Sequence, residues 1–263
     1  MRQHLQTFKR LYLKQSNMRQ YHLLLLVLLI IPFASCKKNN KKTGTYTMDF
    51  QVQTDDVNRE LSYVFPNAAN QDLKIELLQF YISDIILVDK KGEDCDIKDI
   101  ELVKIGTDGK ASLSYDIPAG DYTKLKFNLG VPKELNEADP TGFDDSDHPL
   151  HVSNNTYWGW ATMYRFFSLE GRYDVEQDGT FDGTYAYHTG FEESFVSVEY
   201  DLNMSMGKDG AITNTFNINL ASLFDNGANS VDVVTEPTYH GNYEEVNLSV
   251  RVMNNLKSSL SME

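Results

Sequence analysis

The sequence predicts an all-β protein, a β-sandwich-like single domain with long acidic loops and a short C-terminal helix. The aromatic residues, 12% of the chain, are almost all tyrosine and phenylalanine, which favour pleated, half-buried surfaces. Long runs of alanine, leucine, glutamate and lysine, which are typical of helical proteins, are missing. Short apolar segments instead recur about every dozen residues between turn sequences, as they do in sandwiches and barrels.

The first predicted strands differ in their apolar pattern. Residues 46–52 alternate apolar and polar side chains, which indicates a half-buried strand. Residues 73–88 are apolar without a clean period, which indicates a buried strand with a bend near Ser83 and Asp84. Further strands are predicted at residues 100–105, 111–117, 122–129, 157–169, 184–189, 195–206 and 212–220.

Two later segments carry more specific expectations. The strand at 157–169 would place Trp158 and Trp160 on one face, because side chains two residues apart point the same way. Residues 239–260 fit both a strand and a helix. Leu256 and Leu260 extend the apolar face of the helical alternative, so we favour a helix there.

Residues 1–35 have the pattern of a lipoprotein signal peptide. Basic residues precede an apolar run at 23–31, which is too short for a membrane-spanning helix of roughly 20 residues. Small residues then lead to Cys36. We expect cleavage before Cys36, a lipid on its sulfur, a flexible tether over residues 36–45 and a β domain over residues 46–263.

Charge and cysteine content exclude several classes of function. Removing residues 1–35 takes away five basic residues and no acidic one, which leaves 19 basic against 38 acidic residues, a formal net charge of −19. A nucleic acid would be repelled by such a surface, whereas cations would be attracted. Because Cys95 is the only other cysteine beside Cys36, neither a disulfide within the chain nor a cysteine-based metal cluster is expected.

The candidate metal ligands are histidines. Residues 133–156 form a long acidic loop of the kind that is often functional, and it ends with His148 and His151; His188 and His240 follow later. Imidazole binds copper, zinc and iron, and Asp147 stands beside His148, where it could orient the ring. No metal-binding spacing such as His-Glu-x-x-His is present, so these residues are either ligands or ordinary surface and loop histidines.

The remaining motifs leave other functions open. Trp158 and Trp160 fit a pair of core indoles as well as a binding site. No phosphate loop, nucleophile elbow or cysteine nucleophile is present, so we expect a protein that is not an enzyme. A structural or protein-interaction lipoprotein without metal, and a glycan-binding module that uses exposed aromatic residues, are the alternatives to metal binding.

Several short motifs follow one another along the chain. They are Asp84-Ile85-Ile86-Leu87-Val88, Ile117-Pro118-Ala119-Gly120-Asp121-Tyr122, Lys126-Phe127-Asn128-Leu129-Gly130-Val131, His148-Pro149-Leu150, Tyr157-Trp158-Gly159-Trp160, Tyr164-Arg165-Phe166, Leu169-Glu170-Gly171 and Tyr187-His188-Thr189-Gly190. In this order they resemble the MbnP-like copper-binding protein family, whose members include lipoproteins of Bacteroidetes. The resemblance covers roughly residues 46–255.

The resemblance implies copper as the cofactor of a β-rich domain. His148 and His188 match the family histidines, His240 is a weaker candidate, and Trp158 or Trp160 would be the tryptophan that some relatives oxidise to kynurenine. The implied partners are a di-haem enzyme of the MauG type and a TonB-dependent transporter. The tract after Cys36 lacks acidic residues, which favours a domain that is anchored to the outer membrane and faces the periplasm.

Overall fold

The computed structural model of the protein describes residues 42–263. The predicted signal peptide, Cys36 and most of the tether lie outside these residues. The strands are β1 (Thr43–Thr54), β2 (Val57–Asn58), β3 (Val64–Pro66), β4 (Asp72–Asp89), β5 (Asp94–Lys104), β6 (Lys110–Pro118), β7 (Gly120–Leu129), β8 (Tyr157–Trp158), β9 (Met163–Tyr164), β10 (Phe167–Asp174), β11 (Gly183–Thr189), β12 (Val196–Met206), β13 (Ala211–Asn219), β14 (Thr238–His240) and β15 (Leu260–Met262).

Helices are few in the described chain. The α-helices are α1 (Lys133–Asn136) and α2 (Val246–Ser259). Short 3-10 turns lie at Pro140–Gly142, Val152–Asn154, Glu192–Ser194, Ala221–Leu223, Gly227–Asn229 and Tyr243–Glu245. The all-β prediction is therefore confirmed, including the short C-terminal helix. No helix among residues 42–263 has the length and hydrophobicity needed to cross a membrane.

Two sheets form the sandwich. In the smaller sheet, β1 pairs with β13 and β6 along its length and with β2 at its end, and β15 extends β13. The larger sheet has the order β12-β7-β4-β10-β11-β14, and β3 and β5 also pair with β4. The bend predicted within β4 is present. Asp84 has a φ of 49°, and the pairing of β4 with β7 shifts register between Ser83 and Ile86.

The core lies between the two sheets. Alternate residues of β1 are buried, and Phe50 packs edge-on against Phe80 of β4 with ring centroids 5.8 Å apart. Because alternate side chains of a strand point to opposite faces, the neighbouring residues Gln79 and Tyr81 lie on the outer face of the larger sheet. This outer face carries a second buried layer, in which the Tyr81 hydroxyl donates to the Pro149 carbonyl at 2.8 Å.

Two predictions about individual segments are wrong. The first strand begins at Thr43, so the last residues of the expected tether belong to the sheet. Residues 157–169 are not one strand, because the chain turns after Trp158 and the Ala161 amide donates to the Trp158 carbonyl at 2.8 Å. Strands β8 and β9 form a small hairpin instead, and β10 begins after it.

Candidate metal centre

The candidate site lies on a row of residues that crosses the outer face of the larger sheet. Lys104 of β5 pairs with Gln79 of β4, Gln79 with Ser168 of β10, and Ser168 with His188 of β11. His188 in turn pairs with His240 of β14. Residues in direct register on neighbouring strands share a face, so the row ends in two adjacent imidazoles at the edge of the sheet.

The two imidazoles lie side by side. The rings of His188 and His240 are stacked, with centroids 4.9 Å apart and planes 12° apart. His188 is buried, with 6% of its surface exposed, whereas His240 on the edge strand is open to solvent. The pair therefore has one firmly held ring and one ring that an incoming ion can reach.

Trp158 covers the histidine pair. Its ring contacts His188 edge-on at 4.9 Å between centroids and His240 edge-on at 5.7 Å. Trp160 stacks on Trp158 at 5.1 Å and is 77% exposed. The two tryptophans are therefore not equivalent core residues: Trp158 belongs to the site, and Trp160 shields it from the solvent side.

Two glycines allow the hairpin that carries Trp158 to approach the histidine strands. A Cβ at Gly190 would lie 2.4 Å from the Cβ of Thr162. A Cβ at Gly241 would lie 2.9 Å from the Cγ2 of the same threonine. Gly241 also has a φ of +74°, which side chains rarely tolerate. Since each glycine follows a site histidine by one or two residues, the close approach aligns Trp158 with both rings.

The hydrogen bonds of His188 leave one ring nitrogen free of protein partners. Its Nε2 lies 2.7 Å from Oε1 of Glu170, and its buried Nδ1 has no partner among the described residues. The pKa of His188 is lowered to about 4, mainly by burial; the nearby charges of Arg165 and His240 contribute to the lowering, and Glu170 opposes it. The ring is therefore neutral near pH 7, the form that binds metals.

Arg165 lies on Trp158 with its guanidinium carbon 4.8 Å from the ring centroid. The side chain is buried, and its Nε has no hydrogen-bond partner among the described residues. Burial lowers the pKa of Arg165, although the neighbouring Glu170 opposes this change. A guanidinium stays charged even so, and the site thus contains a fixed positive charge.

Comparison with known proteins identifies the family. The profile of the MbnP family matches residues 43–246, a range that contains both histidines of the pair and both tryptophans. The chain belongs to the MbnP family. Among solved structures, MbnP from Methylosinus trichosporium is similar in fold, with a TM-score of 0.53 and 17% sequence identity over 77% of this chain and 82% of that one. No curated protein sequence matches the chain significantly.

The resemblance deduced from the ordered motifs is therefore confirmed, but the structure arranges the candidate ligands of this MbnP-family chain differently from the expectation. The pairing expected was His148 with His188, and the pair that the described contacts form is His188 with His240. His148 stacks on Phe143 at 4.6 Å between ring centroids, and its Nδ1 accepts a hydrogen bond from the Leu150 amide at 3.1 Å.

The position of the His148 loop explains this separation. Asn154 donates to the carbonyl of His148 and accepts a hydrogen bond from Lys104 Nζ at 2.7 Å, which holds the loop over β5. Lys104 and His188 are separated along the row by three strand spacings, or about 14 Å. The loop holding His148 is thus anchored at the far end of the row from His188.

The other residues of the loop have local roles. The Nδ1 of His151 accepts a hydrogen bond from the Ser153 amide at 3.1 Å. His151 thereby caps the N-terminus of the 3-10 turn Val152–Asn154. Asp147 is exposed, and among the described hydrogen bonds its backbone amide donates to Asp145 while its carboxylate makes none with His148. The prediction that Asp147 orients His148 has no contact to support it.

Two residues of the site were not selected from the sequence. Glu170 and Arg165 both lie in motifs that carry the family resemblance, Leu169-Glu170-Gly171 and Tyr164-Arg165-Phe166. Neither residue type is specific to a metal site, and only the register of β10 against β11 brings Glu170 to His188. The motifs were the signal that could have identified both residues.

The donor set suits some metals better than others. No group of three or more histidine, cysteine, aspartate or glutamate side chains in the described part of the chain could hold a metal ion. Structural zinc sites almost always have four ligands, and calcium and magnesium prefer oxygen. Two imidazoles beside an apolar indole fit a softer transition-metal ion, and the unpartnered Nδ1 of the buried His188 is a nitrogen able to bind it.

Proposed function

We propose that this MbnP-family protein binds copper through His188 and His240 and acts in copper acquisition or handling in the cell envelope. It would be a binding protein and not an enzyme. The observation that carries the proposal is the contact of the two imidazoles with each other and with Trp158. Membership of the MbnP family supports copper as the metal, because copper is the cofactor that the resemblance to this family implies.

The local chemistry supports copper over the harder cations. Imidazole nitrogen ranks among the ligands that suit copper, and copper holds N-donor sites more tightly than the other divalent first-row metals do. Glu170 would accept a hydrogen bond from the Nε2–H of His188, which leaves the lone pair on Nδ1 available to the metal. His240 would supply the second nitrogen from the exposed side.

Trp158 is the tryptophan that we propose as the site of oxidation. Indole has no lone pair to donate, whereas kynurenine offers an amine and a ketone, so oxidation would convert a packing residue into a ligand. Contact with both imidazoles favours Trp158 over Trp160, whose ring lies outside it. The proposed partner for this modification is a di-haem enzyme of the MauG type.

The cellular placement that we propose follows the N-terminal sequence. A lipid on Cys36 would anchor the domain to the outer membrane, with the domain in the periplasm, where a TonB-dependent transporter is the proposed partner for copper uptake. The acidic surface would attract cations and basic protein surfaces to the domain.

Metal analysis of the protein purified from its native host tests the proposal. The wild-type protein should contain stoichiometric copper, and His188→Ala and His240→Ala should each lose it. His148→Ala and His151→Ala are matched controls that remove an imidazole elsewhere and should retain copper. The absence of copper from the wild-type protein would contradict the proposal and favour a protein-interaction lipoprotein. Glycan binding that survives a chelator would favour a glycan-binding module.

A further inference from the structure

Arg165 is a buried positive charge without a close counter-ion. Only 6% of its surface is exposed, and none of the ion pairs among the described residues includes it. Its Nε also lacks a hydrogen-bond partner in the described chain. Burying an unpaired charge is costly, so such a residue is unusual in a stable fold. Its position beside the candidate metal centre gives the charge a use.

We propose that Arg165 sets the oxidation state of the bound metal by favouring Cu(I) over Cu(II). This inference rests on the proposed copper site at His188 and His240. Arg165 would not bind the metal. It would act through its charge, as a residue that determines the specificity of the site for the monovalent ion.

The geometry brings the charge within electrostatic range of the site. The guanidinium lies 4.8 Å from the centre of the Trp158 ring, and the His188 ring lies 4.9 Å from the same centre. The guanidinium and the imidazole are therefore separated by no more than the sum of these two distances. Water is largely excluded from this space, because His188 and Arg165 are both buried, so the interaction is weakly screened.

The repulsion depends on the charge of the metal ion. A fixed positive charge repels Cu(II) about twice as strongly as Cu(I), because Cu(II) carries twice the charge. Glu170, the neighbouring carboxylate, acts in the opposite direction. It is more exposed than Arg165, with 38% of its side chain open to solvent, so water screens its charge more effectively. The contribution of Glu170 is the same with and without Arg165, so the contribution of Arg165 itself favours the monovalent ion.

The test compares the affinities for Cu(I) and Cu(II) in wild-type and Arg165→Met protein, each measured by competition with a chelator specific for that ion. The Met variant should shift the ratio of the two affinities toward Cu(II) by about tenfold, which corresponds to 59 mV in a one-electron reduction potential. Arg172→Met is a matched control, because it removes an exposed arginine from β10, the strand that follows Arg165, at a position further from His188, and should leave the ratio unchanged.

Each outcome has a defined meaning. A variant that binds both ions in the wild-type ratio would overturn the role of Arg165 while leaving the copper site intact. Failure of the wild-type protein to bind either ion would overturn the proposed function and this inference together. Replacing a buried charge by an apolar side chain of similar volume is often neutral or stabilising, so the Met variant should fold, and Arg165→Gln is the second neutral variant if it does not.

Discussion

His188 and His240 are 52 positions apart in the sequence, yet they occupy directly paired positions on the parallel strands β11 and β14. Their rings are stacked with centroids 4.9 Å apart. Parallel pairing needs a long crossover connection, and here the connection includes β12 and β13. Strand register thus fixes the spacing of the two imidazoles, while the β8–β9 hairpin places Trp158 across them.

Glu170 should be required for tight copper binding. Its carboxylate holds His188 through Nε2 at 2.7 Å, so it fixes the tautomer and the orientation of the ring. Glu170→Ala should weaken copper binding by about 10- to 100-fold, measured by competition with a chelator. Glu76→Ala removes an exposed carboxylate from the neighbouring strand and should not change the affinity. Equal affinities in the two variants would show that Glu170 does not support the ligand.

Gly190 should be intolerant of a side chain because the Thr162 side chain fills the space. Gly190→Ala should destabilise the fold by about 1–3 kcal/mol, since the hairpin must move to relieve the clash. Chemical denaturation measures this change. Gly142→Ala is the control, because a Cβ there meets no atom within 4 Å, and its effect should be small. A Gly190 variant as stable as the Gly142 variant would mean that the hairpin is not tightly seated.

The two tryptophans should report copper differently. In Trp160→Phe protein produced without the di-haem partner, so that Trp158 stays unoxidised, the remaining indole is Trp158, which contacts both imidazoles, and copper should quench most of the fluorescence. In Trp158→Phe protein the remaining Trp160 is largely exposed, and copper quenching should be weaker while acrylamide quenching is stronger. A titration with copper checks both variants. Stronger copper quenching of Trp160 would contradict the assignment of Trp158 to the site.

The loop that carries His148 should be stabilised independently of the metal centre. The Tyr81 hydroxyl lies 2.7 Å from the Thr156 hydroxyl and donates to the Pro149 carbonyl. Tyr81→Phe should therefore cost about 1–3 kcal/mol of folding free energy, because buried polar groups lose their partner, without weakening copper binding. Tyr243→Phe, which removes an exposed hydroxyl, is the control for stability. Parallel loss of copper affinity in the Tyr81 variant would link the loop to the site.

The fold class and several local features could be predicted from the sequence because they depend on short-range patterns. Alternation along β1 indicated a half-buried strand, and the loss of period near Ser83 and Asp84 indicated the bend that occurs there. The period-two spacing of Trp158 and Trp160 was misleading. The chain turns between the two tryptophans, and Met163, the first residue of β9, has a φ of 64°, which interrupts the extended backbone between β8 and β10.

The site was harder to predict because it depends on contacts between distant segments. The sequence predicts His188 as a candidate ligand, but its pairing with His240 could not be deduced, since nothing near His240 in the sequence indicates a parallel strand of three residues. The sequence favours His148 as a ligand because it lies in an acidic loop beside a carboxylate that could orient it. The row of paired residues across the sheet separates it from His188, and no sequence pattern encodes that row.

An anomalous difference map at the copper edge, from crystals of the copper-loaded protein, tests the central claim most directly. Our account predicts a peak bonded to nitrogen atoms of His188 and His240, next to Trp158 and away from the Arg165 guanidinium. A peak at His148, or a copper-loaded crystal in which the imidazoles of His188 and His240 bind no metal, would contradict it.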